Sequence, residues 1–174
     1  HVISPEQGIA LPGVTLVCPD SHTGTLGGLG ALAWGIGSTE AEHALATKTL
    51  VIKKPKTMRG TFTGELKPGI TAKDMILKLI GEHTASGGIG YAIEFTGEAV
   101  RNLEIEARLT LCNMTVEFGA WSGLVAPDQK TIEYVKGRPY SPTGDQWDKA
   151  VVYWQTLHTD EGASFDKDIV IDCA

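Results

Sequence analysis

Cysteine is scarce and is not grouped. The chain holds three, Cys18, Cys112 and Cys173, with no Cys-x-x-Cys pair among them. An odd number of widely separated thiols makes neither a disulfide framework nor a zinc-finger ligand set. They are expected to be reduced thiols in a cytoplasmic protein, each acting as a small buried hydrophobe. Basic clusters are also scarce: Lys53-Lys54-Pro55-Lys56 is the one short run, in a chain of formal net charge -6. A phosphate backbone would repel such a surface, so no nucleic-acid partner is expected. No apolar run approaches the roughly 18 residues of a membrane span, and the longest weakly polar stretch, Leu26 to Ile36, is short and glycine-rich. No membrane partner is expected. No signal-peptide pattern, internal repeat or low-complexity segment is visible.

Glycine, by contrast, is plentiful. It supplies 21 of 174 residues, with 42% hydrophobic and 21% charged residues beside it, a balance that suits one domain with a sizeable core or two small units. The apolar stretch Val14 to Val17 reads as a strand, entered through the turn Leu11-Pro12-Gly13, and residues 1–13 read as a connection. Leu26 to Trp34 reads as a helix with a glycine face. A capping box at Thr39 and Glu42 opens a second helix, Glu40 to Leu50. Alternation in Met58-Arg59-Gly60-Thr61-Phe62-Thr63 gives a strand with Met58, Gly60 and Phe62 on one face. Thr71 to Asp74 caps a helix whose stripe is Met75, Ile76, Leu79 and Ile80. Tyr91 to Phe95 reads as strand, Asn102 to Ala120 as helix broken near Asn113, Trp147 to Leu157 as helix, and Lys167 to Asp172 as a last strand. Strands alternating with helices imply an α/β fold, with a seam at Lys53 to Thr57.

Polar groups capable of chemistry are few: His1, Asp20, Ser21, His22, Asn113 and Glu117. Asp20, Ser21 and His22 follow a strand and precede Gly24-Thr25-Leu26-Gly27-Gly28-Leu29-Gly30, whose glycines would let backbone approach a ligand. Asn113 and Glu117, four apart, would share a helix face. Read by themselves, Asp20 and Ser21 could equally cap a following helix, and His43 and His83 read as ordinary surface or structural histidines. His1, Asp20, His22 and Glu117 could also form a simple zinc-binding module.

Ordered motifs along the whole chain bear on these alternatives: Pro5-Glu6-Gln7-Gly8, Asp20-Ser21-His22-Thr23, Gly30 to Gly37, Glu42-His43-Ala44-Leu45-Ala46-Thr47, Pro68 to Asp74, Ser86 to Gly90, Leu111-Cys112-Asn113-Met114, Ala126-Pro127-Asp128, Lys136-Gly137-Arg138-Pro139 and Asp160-Glu161-Gly162-Ala163. With them the chain resembles an internal segment of the aconitase superfamily, most closely the large subunits of its isopropylmalate dehydratases. The resemblance implies three-layer α/β units, residues 1–56 being the C-terminal part of the first aconitase-like domain and 57–174 the second. It implies a [4Fe-4S]-dependent hydro-lyase that isomerises 2-isopropylmalate to 3-isopropylmalate in leucine biosynthesis, or a paralogue acting on 2-methylmalate, dimethylmaleate or homoaconitate. Carried over by position, His1, Asp20, His22 and Glu117 would be catalytic, with Glu117 orienting a histidine. Ser21 and Asn113 would bind substrate.

The same resemblance implies that the cluster's cysteine ligands, the substrate-binding arginines and the base for the C–H proton lie outside these residues. No metal ligand is expected among them, and the isolated segment is expected to be inactive. A small subunit with a swivelling domain would be the partner and a small hydroxy acid the substrate. Two positions depart from the dehydratase pattern: Leu26 stands where a histidine is usual, and Pro19 where glycine is common before the aspartate.

Overall fold

The structure is a computed structural model describing residues 1–174. It is an α/β fold built on two parallel sheets. β1 (Thr15–Cys18) pairs in parallel with β2 (Leu32–Gly35), and a four-stranded parallel sheet has the order β5-β4-β3-β6, where β3 is Lys56–Thr63, β4 Tyr91–Thr96, β5 Ser122–Leu124 and β6 Lys167–Asp172. The helices are α1 (Ile3–Gln7), α2 (Ser38–Thr47), α3 (Ala72–His83), α4 (Glu98–Asn102), α5 (Ile105–Asn113), α6 (Gln129–Val135) and α7 (Asp145–Trp154). A 3-10 helix, Thr23–Leu29, joins β1 to β2.

The four-stranded sheet follows the alternation of its sequence. Met58 and Phe62 of β3, Ile93 and Phe95 of β4 and Ile169 and Ile171 of β6 are buried together with Met75, Ile76 and Leu79 of α3. The opposite face carries Arg59, Thr61, Glu94 and Asp168, with Arg59 Nε donating to Asp168 at 2.5 Å. α3 starts where expected: Asp74 accepts from the Thr71 N–H at 2.8 Å, a bond that satisfies a free donor of the first turn. A second core gathers Ala10, Leu26, Leu29, Ala31, Ala33, Ile105, Ile132, Val135 and Trp154 under the small sheet.

Several expected elements differ from the structure. Residues 1–13 contain the short helix α1, ended by Gly8 at φ +73°. The stretch Leu26 to Trp34 is no glycine-faced helix. It is the end of the 3-10 helix, a left-handed Gly30 (φ +76°) and then β2, because pairing with β1 outweighs the weak helix tendency of a glycine-rich run. The cap of α2 lies two residues earlier than the Thr39–Glu42 box: the Glu40 carboxylate accepts from the Gly37 N–H at 2.8 Å, and the helix ends at Thr47. α5 stops at Asn113, and the residues after it turn into β5. α4, α6 and β5 are too short to stand out as periodic patterns, although Asp128 announces α6 by accepting from the Thr131 N–H at 3.2 Å. No helix is long and apolar enough to cross a membrane.

Candidate active site

The site lies just beyond the carboxyl ends of β1 and β2, where open parallel sheets present ligand-binding crevices. β1 ends at Cys18 and delivers Asp20, Ser21 and His22; β2 ends at Gly35 and Ile36. A cleft of about 430 Å³ opens there. Asp20, Ser21 and Asn113 form its polar side, and Ile36, Val116 and Trp121 much of its apolar side.

Four of the six sequence candidates form two histidine–carboxylate pairs. His1 Nδ1 lies 2.6 Å from Asp20 Oδ2. His22 Nε2 lies 2.9 Å from Glu117 Oε1, bridging 95 residues of sequence. The two imidazoles stand with centroids 6.3 Å apart. The pairs are also linked: the other oxygen of Asp20 accepts the His22 backbone N–H at 3.0 Å. Ser21 Oγ lies 3.1 Å from His22 Nδ1, so both ring nitrogens of His22 are engaged. The Nε2 of His1 has no partner within the chain. All four side chains of the pairs are a third or more exposed, so solvent and small molecules reach them.

Asn113 takes a different place. Its side-chain N–H donates to Thr25 Oγ1 at 2.8 Å, and Thr25 in turn donates to the His22 carbonyl at 2.6 Å. It lines the cleft and braces the loop that carries His22. The four-residue spacing predicts a helix face shared with Glu117, but the two share none, because α5 ends at Asn113 and Glu117 belongs to the turn beyond it. Glu117 is held instead by its neighbour: Phe118 is fully buried, and Gly87 sits so close that an added Cβ would be 2.5 Å from the Phe118 ring. No period in the sequence encodes that anchor.

The glycine run has a role other than the expected one. A Cβ on Gly27 would lie 1.7 Å from the Gly123 carbonyl oxygen, and one on Gly28 would lie 2.8 Å from the Arg108 carbonyl carbon. The glycines seat the 3-10 helix backbone-to-backbone on β5 and α5. Gly24 alone of the run borders the cleft. Leu26 is 1% exposed in the second core and does not line the cleft, so its departure from the dehydratase pattern lies outside the lining; Pro19 is part of it. Sequence reasoning missed Trp121. Its ring stacks on Trp34 with centroids 4.4 Å apart, and its neighbour Ser122 donates from Oγ to the Ala33 carbonyl at 2.7 Å, fastening β5 to β2.

The residues present do not fit a cluster or a zinc ion as ligands. A [4Fe-4S] cluster takes thiolates gathered at one centre, and no three His, Cys, Asp or Glu side chains converge to hold a metal. Cys112 touches the cleft, but burial pushes its thiol far up, with Arg108 opposing weakly, so it stays protonated. The zinc-module alternative fails because His1, Asp20, His22 and Glu117 form two pairs and not one coordination shell.

Comparison with known proteins gives two findings. The family model described as Aconitase family (aconitate hydratase) matches residues 1–174. The chain is 58% identical over 172 residues to the 3-isopropylmalate dehydratase large subunit 1 of Bradyrhizobium diazoefficiens, a match covering 99% of this chain and 36% of that protein. The chain thus spans about a third of the length of the curated relative it matches.

Proposed function

Because this chain belongs to the aconitase family, we propose that it is the part of a hydro-lyase large subunit that supplies paired imidazoles and a hydroxyl to a small hydroxy-acid substrate. The reaction is the isomerisation of 2-isopropylmalate to 3-isopropylmalate, as in leucine biosynthesis in the cytoplasm. A proton leaves one carbon and the hydroxyl leaves its neighbour as water, giving an enoate to which water returns in the opposite sense. The observation that carries this reading is the meeting of His1–Asp20 and His22–Glu117 at one cleft from distant parts of the sequence. In this reading residues 1–56 close one α/β domain, residues 57–174 form the next, and a small subunit completes the enzyme.

The geometry supports separate roles for the two pairs. His1, held through Nδ1 by Asp20, has Nε2 free to give a proton to the departing hydroxyl and take it back on hydration. His22 as imidazolium donates from both nitrogens, to Glu117 and to Ser21 Oγ, which leaves the Ser21 proton for a substrate carboxylate. Asn113 would hold the loop and present its amide oxygen. A [4Fe-4S] cluster would supply Lewis-acid chemistry from ligands other than these residues.

The test uses the full-length polypeptide with its small subunit: iron and sulfide content, and dehydration of 3-isopropylmalate followed by enoate absorbance. Cluster content with turnover supports the reading. Absence of both in the reconstituted complex removes it.

A further inference from the structure

We propose that Trp121 is a specificity-determining residue, forming with Val116 and Ile36 the apolar wall that receives the non-reacting alkyl branch of the substrate; this deepens the reading above and rests on it. The cleft is two-sided. The Ser21 hydroxyl can donate to a carboxylate, and Asp20 and the Asn113 amide oxygen can accept from a hydroxyl, whereas Ile36, Val116 and the ring carbons of Trp121 form an apolar surface. A hydroxy diacid without a branch would leave the wall wet, and one with a branched alkyl group would dry it.

The wall is preorganised. Trp121 is half-buried, its backbone N–H donates to the Tyr91 carbonyl at 2.8 Å, and its ring lies on Trp34, which is 7% exposed. The Ser122–Ala33 bond fixes the next residue. Little side-chain freedom is then lost on binding, so the contact area is used for discrimination. Val116 is 39% exposed, a large apolar side chain open to solvent beside Glu117, which suits a surface that a ligand covers.

The experiment measures kcat/KM of the full-length polypeptide with its small subunit for 3-isopropylmalate and for 3-methylmalate, which differ only in the branch. The natural enzyme should prefer the isopropyl acid. Trp121→Ala should reduce that preference about tenfold, the size of effect that a small change in apolar contact gives. Trp121→Phe should restore most of it, and Val116→Ala should reduce it about threefold on the same scale of apolar contact. If Trp121→Ala does not fold, Val116→Ala carries the test, lowering the ratio about threefold while Trp121→Phe keeps most of it. Variants that slow both acids equally, with the ratio unchanged, overturn this inference and leave the reading of function standing. No turnover of either acid by the natural enzyme overturns both.

Discussion

The core beneath the four-stranded sheet and the seam beneath the candidate site are packed by different means. The first is filled by large side chains: Phe62, Phe95, Phe118, Met58, Ile76 and Leu79 are almost completely buried there. The second brings main chain onto main chain, with Gly27 against Gly123 and Gly28 against Arg108, and Gly35 leaves room for the Asp20 carbonyl, which an added Cβ would approach to 2.6 Å. Side chains can change rotamer, so the first region yields by degrees. Backbone cannot step aside, so the second is nearly all-or-none. The side chains proposed for chemistry stand on the second region, where sub-ångström placement of Asp20, Ser21 and His22 matters most.

The contrast predicts unequal responses to substitution. Gly27→Ala should cost more than about 4 kcal/mol, the range of exceptional single mutations, because no side-chain movement relieves a contact of 1.7 Å with carbonyl oxygen. Urea denaturation measures it, and a loss below about 1 kcal/mol would break the comparison. Phe62→Ala in the other core should cost about 3–5 kcal/mol, and Phe62→Leu well under half of that, since neighbours partly close a cavity. Gly27 should have no such mild variant.

How legible each region was follows from the same difference. β3, α3 and β6 were readable because their burial alternates or recurs with the period of their own geometry: Met58 and Phe62 point one way and Arg59 the other. The 3-10 helix and β2 were misread because glycines carry no hydrophobic period and record only what lies against them. Within the site, Asp20, Ser21 and His22 were visible as consecutive polar residues after a strand. Their convergence with Glu117 was expected only through the family resemblance and is encoded by no period of the chain, since it depends on Phe118 being anchored beneath Gly87. Trp121 was invisible for the opposite reason: a lone aromatic reads as core until its ring is seen to border a cleft.

Within the site the next effect should separate Glu117 from Asn113. Glu117→Gln keeps size and removes the charge beside His22 Nε2. A loss of about 10–100-fold in kcat is expected, typical of removing the partner that orients a functional imidazole, with an altered pH profile. Asn113→Ala removes the brace to Thr25, a neutral hydrogen bond of about 1 kcal/mol, together with one neutral amide oxygen at the cleft, and should slow turnover roughly tenfold or less with the profile unmoved. Equal losses from the two variants would show that the loop brace, and not the carboxylate, governs His22.

The smallest effect concerns Arg108, the cation under the seam. Its side chain is 1% exposed, and Nη2 donates to Asp128 at 2.6 Å and to the Arg101 carbonyl at 3.0 Å, while Nε and Nη1 have no partner. Burial by itself would raise the Asp128 carboxyl, but the Arg108 guanidinium and the N–H groups of Thr131 and Lys130 outweigh it and hold the group below its ordinary 3.8. A carboxyl lowered by folding adds stability above its unfolded value, and that stability is lost as pH falls through the folded value. Asp128 is 39% exposed, so solvent screening limits the linked contribution to below about 1 kcal/mol. The thermal midpoint of the natural chain should therefore exceed that of Asp128→Asn at pH 6, and the gap should narrow as pH drops below about 4. A gap that stays constant from pH 6 to pH 3 would mean that Asp128 stabilises the seam only as the neutral cap of α6, and that the buried guanidinium draws nothing from its charge.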